Sequence, residues 1–275
     1  MNRARIDGRE LEYEVRGAGE PVVLVHGSHI ADAFAPLLAE SVLTERYRLL
    51  LYHRRGFAGS THPDGPLSIA QQATDCRALM QHLGVPCAHV VGHSYGGAIA
   101  LQLALDAPEV VHSLALLEPP LLTVPSAPQF LEALGPVLQM YEGGNKIGAV
   151  DSFLQAVVGP EYRSVLDRVL PGAFAQATTD ADTFFRIELP ALEQWRFTQA
   201  EAGRITQSVL TVLGGDSHTL WPGWREVHQL VQAWLPQAEG FVLEGTTHGS
   251  QIIDPKGMAA GLADFFARHP LPSRP

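Results

Sequence analysis

Residues 88–106 read AHVVGHSYGGAIALQLALD, and this stretch decides the fold. A short apolar run, Ala88 to Val91, meets Gly92-His93-Ser94-Tyr95-Gly96, and an almost wholly apolar segment follows, from Tyr95 to Asp106, ending before Pro108. The five residues fit G-x-S-x-G, with a strand directly before and a helix directly after. A sharp turn at that junction presents the Ser94 side chain at the carboxyl end of the strand. Gly92 and Gly96 supply minimal side chains where neighbouring backbones crowd. The helix that opens near Tyr95 aims its free N–H groups at the same place. A helix apolar on all sides is expected at the centre of the molecule.

The same strand-then-turn rhythm extends in both directions. Apolar runs stand at Pro21–Val25 before His26-Gly27, Tyr47–Tyr52 before His53-Arg54-Arg55-Gly56, and Ser113–Leu117 before Glu118-Pro119-Pro120. Two more stand at Ser208–Leu213 before Gly214-Gly215 and Gly240–Leu243 before Glu244-Gly245. They are continuously apolar rather than alternating, as in parallel strands covered on both faces. Arg9–Arg16 does alternate, with Leu11, Tyr13 and Val15 on one side, and is expected in an antiparallel edge hairpin with one wet face. Ser68–Leu83 repeats apolar residues every three or four positions, and a last helix is expected over about Lys256–Arg268. The fold class expected is α/β, a mostly parallel sheet with helices on both faces.

Residues 121–205 break the rhythm. They hold no convincing strand, only helix-like pieces cut by Pro125, Pro128, Pro136, Pro160, Pro171 and Pro190. They are rich in aromatic residues, among them Phe130, Phe153, Phe184, Phe185, Trp195 and Phe197. The expected organisation is a core of residues 1–120 and 206–275 and a helical cap of residues 121–205, inserted between two sheet strands.

Composition excludes several classes. The chain has 275 residues, is 46% hydrophobic and only 17% charged, and carries a net charge of −10. That balance is globular rather than disordered. Phosphate contacts need clustered Lys and Arg, and no basic run occurs, so no nucleic-acid partner is expected. Cys76 and Cys87 are too few for a disulfide framework and are expected as free, partly buried thiols. The polar start lacks a signal peptide's apolar region, and no stretch approaches the ~18 apolar residues of a membrane span. A soluble, cytoplasmic protein is expected. There is no G-x-x-x-x-G-K-[ST], no C-x-x-C and no H-E-x-x-H, and no G-x-G-x-x-G follows a strand. Neither cofactor nor metal is expected.

With the elbow at Ser94, His26-Gly27-Ser28, Arg54 to Ser60, Leu117 to Pro120, Gly214-Gly215-Asp216 and Thr247-His248 in place, the chain resembles the α/β-hydrolase superfamily, specifically its small cap-bearing, esterase-like members. The resemblance implies Ser94 as nucleophile, Asp216 as orienting acid and His248 as base, in the chain order of that fold. Glu118, after the preceding strand, is the alternative acid, and Asp216 is then a turn residue. The resemblance also implies oxyanion donors at the N–H groups of Ser28 and Tyr95.

The chemistry leads to the same residue types. A serine hydroxyl needs an adjacent base, histidine has the pKa to serve, and a buried carboxylate fixes its tautomer. The reaction expected is hydrolysis of carboxylic esters, with lactones as their cyclic counterparts, through an acyl-enzyme, with a small apolar ester as partner. Alternatives within the fold are hydrolysis of carbon–carbon bonds in ring-fission products, perhydrolysis, and a ligand-binding member without turnover. Haloalkane dehalogenases and epoxide hydrolases place Asp at the elbow, where this chain has Ser94. The expected pocket residues are His29, Phe153, Phe184, Phe185 and Trp195.

Overall fold

A computed structural model describes residues 1–272. Eight strands form one sheet: β1 (Asn2–Ile6), β2 (Arg9–Arg16), β3 (Glu20–Val25), β4 (Tyr47–Tyr52), β5 (Ala88–His93), β6 (Val111–Leu117), β7 (Ser208–Gly214) and β8 (Ala238–Leu243). Their order is β1-β2-β4-β3-β5-β6-β7-β8. The β1–β2 hairpin joins β4 antiparallel, and every pair from β4 to β8 is parallel. The register aligns the strand ends: Val25 lies beside Gly92, His93 beside Leu117, Leu117 beside Val212, and Gly214 beside Leu243. The segments that follow these strands therefore emerge along one edge of the sheet, where open parallel sheets place their sites.

Successive strand residues point to opposite faces, and the core divides accordingly. Val23, Val25, Val90, Leu114, Leu116 and Val209 pack under three helices, α1 (Ile69–His82), α2 (Tyr95–Asp106) and α3 (Gly223–Trp234). Val22, Leu24, Val91, Leu117, Leu210 and Val212 pack against Phe34, Leu37 and α4 (Pro255–Arg268), which contributes Met258, Leu262, Phe265 and Phe266. Ser68 opens α1 with a capping box, accepting from the Gln71 N–H while the Gln71 side chain accepts from its own. That closes two of the donors left open at a helix start. Cys76 is buried in this core and Cys87 is half-buried, and both are free.

Between β6 and β7 the chain runs through helices at Ala127–Glu142, Lys146–Val158, Tyr162–Val169, Ala173–Thr179, Leu189–Gln194 and Gln199–Ala202, with a π-helical turn at Thr183–Glu188. Pro125, Pro160 and Pro171 lie outside the helices, as expected, whereas the other three prolines do not end one. Pro128 and Pro190 sit in first helical turns, where the missing N–H would be unpaired anyway. The first helix continues through Pro136 instead of ending there. The insert has its own apolar cluster, built on Val150, Leu154, Leu166, Phe174, Phe184 and Phe185, which Ile30, Ala33 and Ile252 of the sheet loops join. No helix among the described residues is long and apolar enough to cross a membrane.

Candidate active site

The turn at Ser94 is held open by crowding. Ser94 has φ 50° and ψ −125°, a conformation sparsely populated by residues with a side chain. Its N–H donates to the Leu117 carbonyl at 2.8 Å and its carbonyl accepts from the Gly97 N–H at 2.7 Å. A β-carbon at Gly96 would stand 2.1 Å from the Val25 carbonyl oxygen, and one at Gly92 would stand 2.5 Å from that of Gly96. Both glycines are therefore required by β5, β3 and α2 approaching so closely. The Ser94 side chain caps no backbone group of α2, so its hydroxyl is left to the cavity it lines.

His248 follows β8 and is buried. Its Nδ1–H donates to Glu118 Oε2 at 2.6 Å, so in the neutral ring Nε2 is the acceptor nitrogen. Glu118, 5% exposed, also accepts the Gly214 N–H at 2.9 Å through Oε1. Like Ser94 it takes a left-handed φ, 46°, which turns it back over the end of β7. The His248 ring is sandwiched: Trp224 of α3 stacks on it at 4.0 Å and 16°, and His93 lies 4.7 Å away. His93 Nε2–H donates to the His248 carbonyl at 2.7 Å, and burial keeps His93 neutral by holding its pKa well below the usual imidazole range. Ser94 and His248 face the same cavity without a hydrogen bond between them. Such contacts commonly tighten only with substrate bound.

Asp216 is not part of this arrangement. Its side chain is exposed, its N–H donates to the Thr246 carbonyl at 2.9 Å, and its carbonyl accepts the Thr219 hydroxyl at 2.7 Å as it opens a short 3₁₀ turn. The expected pairing of Asp216 with His248 is thus replaced by Glu118. The Gly-Gly-Asp sequence forms a turn, and the end of β7 contributes a backbone donor rather than a carboxylate.

Fifteen residues wall the cavity, among them Ser28, Ser94, Tyr95 and His248 of the core and Phe130, Phe153, Phe184 and Glu188 of the insert. Phe153 and Phe184 take the places expected of them. His29, Phe185 and Trp195 do not line it. His29 is sealed behind Phe153 and Phe184, with ring centroids 5.1 and 4.4 Å away, and burial lowers its pKa to about 3. Phe185 stacks on Tyr141 at 4.2 Å. Trp195 turns outward, its N–H donating to Gln102 at 2.8 Å and its ring stacked on Phe197. Trp221, Trp224 and Glu188 were not anticipated. Trp221 lies two residues before α3 and Trp224 in its first turn, with their rings edge to face and centroids 4.8 Å apart.

The loop carrying Ser28 is clamped by Arg54, which is only 2% exposed. Its guanidinium donates to the His26 carbonyl at 3.0 Å, the Gly27 carbonyl at 2.8 Å and Gln72 Oε1 at 2.5 Å. Its backbone N–H donates to His26 Nε2 at 3.0 Å. The buried charge is balanced from the insert by Glu188, whose Oε1 lies 2.6 Å from Arg54 Nη1. Among the described residues no group of three or more His, Cys, Asp or Glu side chains is placed to hold a metal.

Comparison with known proteins places this geometry. The family model described as the alpha/beta hydrolase fold matches residues 20–154. A RutD protein of Azorhizobium caulinodans, whose name proposes a carbamate hydrolase, is 39% identical over 107 residues, 39% of this chain and 40% of that protein. A fluoroacetate dehalogenase of a Burkholderia species is 31% identical over 192 residues, 66% of this chain and 59% of that protein. The chain therefore spans well under two thirds of the length of these curated relatives. A thermophilic esterase of Thermogutta terrifontis superposes with a TM-score of 0.81 over 98% of this chain and all of that one, at 18% identity. The sheet order, the elbow at Ser94 and these likenesses agree: the chain has the fold of the α/β-hydrolase superfamily.

Proposed function

We propose that the protein is a serine hydrolase of carboxylic esters, in which Ser94, His248 and Glu118 act as nucleophile, base and orienting acid. One observation carries the reading. Ser94 is presented at a strained turn into a cavity shared with His248, whose Nδ1–H is held by a buried carboxylate 2.6 Å away. His248 Nε2 takes the Ser94 proton as the oxygen attacks the ester carbonyl. The carbonyl oxygen, now negative, is stabilised by the N–H groups of Ser28 and Tyr95. His248 returns the proton to the departing alcohol, and the acyl-enzyme is hydrolysed by a water that His248 activates. Stacking of Trp224 on the ring supports the imidazolium that forms in both steps.

In this reading residues 121–205 form a cap that sets selectivity, since the triad and oxyanion donors touch only the generic carbonyl. The cavity offers about 40 Å³, room for a few waters at ~10–15 Å³ each. Short acyl groups suit it as it stands. A dehalogenase reaction is not favoured, because the elbow carries Ser94. The test is covalent. A fluorophosphonate probe should label the wild type at Ser94 and leave Ser94→Ala unlabelled, while p-nitrophenyl acetate turnover disappears with the label. Undiminished labelling and turnover in Ser94→Ala would assign the nucleophile elsewhere.

A further inference from the structure

Glu188 is the one carboxylate among the residues that line the cavity, and neither the triad nor the oxyanion hole employs it. It closes the π-helical turn Thr183–Glu188, an arrangement that often marks functional sites, and it is 0% exposed. Arg54 lies beside it, but the directed N–H bonds of that guanidinium go to His26, Gly27 and Gln72. Two of the about five N–H groups of that guanidinium remain, Nη1 lies 2.6 Å from Glu188 Oε1, and the Ser28 side chain is within hydrogen-bonding reach of the carboxylate, so part of its acceptor capacity is already used. Other buried polar groups lack partners: the His29 ring and the Gln251 amide lie off the cavity, and Trp224 of the cavity wall presents an Nε1–H, a donor and not an acceptor. Glu188 lines the cavity together with Ser28, Ser94 and His248.

A carboxylate offers about four lone-pair sites, and a buried one with sites still open gains from a ligand that supplies a further donor. Arg54 already balances the charge of Glu188, so a bound ammonium would leave a net positive charge buried, whereas a neutral N–H or O–H would not. The rest of the wall is largely apolar, with Pro120, Leu122, Phe130 and Leu192 among its members, and offers few competing acceptors.

We infer that Glu188 reads the substrate. It accepts a hydrogen bond from a neutral hydroxyl or amide-type N–H carried on the acyl group, so the preferred esters bear such a donor close to the reacting carbonyl. The inference rests on the reading of the Ser94 cavity as the ester site. It makes Glu188 a specificity-determining residue and no participant in proton transfer to or from Ser94.

The test compares phenyl glycolate with phenyl propionate, which differ by hydroxyl against methyl, and with phenyl glycinate at a pH that keeps its amine protonated. Binding is read by quenching of the cavity tryptophans in a Ser94→Ala background, and kcat/KM is read in the wild-type background. Glycolate should be favoured over propionate by about tenfold or more in both readouts, with glycinate below glycolate. Glu188→Gln should cut the preference several-fold. The double variant Arg54→Met/Glu188→Met, which removes both buried charges together, should abolish it. Equal binding of glycolate and propionate, a preference of full size in both variants, or glycinate bound best would overturn the inference. Hydrolysis that persists in Ser94→Ala would instead contradict the assignment of the nucleophile, and the binding ratios would still decide the role of Glu188.

Discussion

The ends of β6 and β7 lie side by side, and each is followed within two residues by a carboxylate: Glu118 directly after β6, Asp216 after the Gly214-Gly215 pair. Their fates differ completely. Glu118 is buried, takes one backbone N–H and grips His248, while Asp216 is exposed and merely opens a turn. Both strands are interior to the sheet, so the difference lies in what meets each carboxylate: Glu118 finds the Gly214 N–H and His248 Nδ1 beside it. Asp216 leaves the sheet after two glycines, and a β-carbon at Gly214 would meet the Thr247 carbonyl oxygen at 2.7 Å, so the backbone itself fills the space beside His248. A carboxylate orients a histidine when it is buried and held, and position after a strand is not sufficient.

The sharpest way to break this comparison is to neutralise each carboxylate in turn. Glu118→Gln should lower kcat on p-nitrophenyl acetate by about 10⁴-fold, because the histidine is then held in the wrong tautomer. Asp216→Asn should stay within about twofold, as an exposed surface change does. Reversed effects would return the acid to Asp216.

The sequence made the sheet legible because its strands are continuous apolar runs punctuated by Gly, His and Pro, and the elbow legible because Gly-x-Ser-x-Gly is dictated by backbone crowding. Ser94 and His248 follow from that frame. The choice between Glu118 and Asp216 was open, since the two differ in burial, which depends on neighbours distant in sequence: His248 lies 130 residues from Glu118. The aromatic residues of the insert were visible as a class, but not their directions. Phe153 and Phe184 face the cavity, whereas the adjacent Phe185 faces Tyr141. Helical position fixes such directions only once the helices are packed, and the π-helical turn shifts them further. Trp224 lies outside the insert, in the first turn of α3, and its stacking on His248 is set by packing between segments distant in sequence.

Two further effects should be smaller. Phe153→Ala and Phe184→Ala should change the ratio of octanoate to acetate turnover by about 10–200-fold, with acetate itself little altered, and Phe185→Ala should leave the ratio near its wild-type value. Equal changes in both esters would mean that the insert acts through stability instead. Trp224→Ala should cost about tenfold in kcat by removing the ring stacked on His248, and Trp224→Phe should recover most of that loss.

The smallest effect concerns stability. His29 is held neutral in the folded state, its pKa driven down to about 3 by burial, while the unfolded chain takes up its proton near ~6.5. A depressed folded pKa means that its contribution is fully present above ~6.5 and is lost as pH falls toward about 3. His29→Asn tolerates the left-handed φ of 64° and carries no titrating group. Its Tm should therefore fall less steeply than that of the wild type between neutral pH and pH ~4. Parallel Tm profiles would show that His29 titrates normally.

The pairing of His248 with Glu118 can be observed without turnover. In proton NMR of the resting protein, the His248 Nδ1–H should give a resonance far downfield, as a proton held between imidazole and a buried carboxylate at 2.6 Å does. The resonance should persist in Asp216→Asn and vanish in Glu118→Gln. A resonance that survives in Glu118→Gln and is lost in Asp216→Asn would contradict the assignment of the acid and the contrast between the two strand ends.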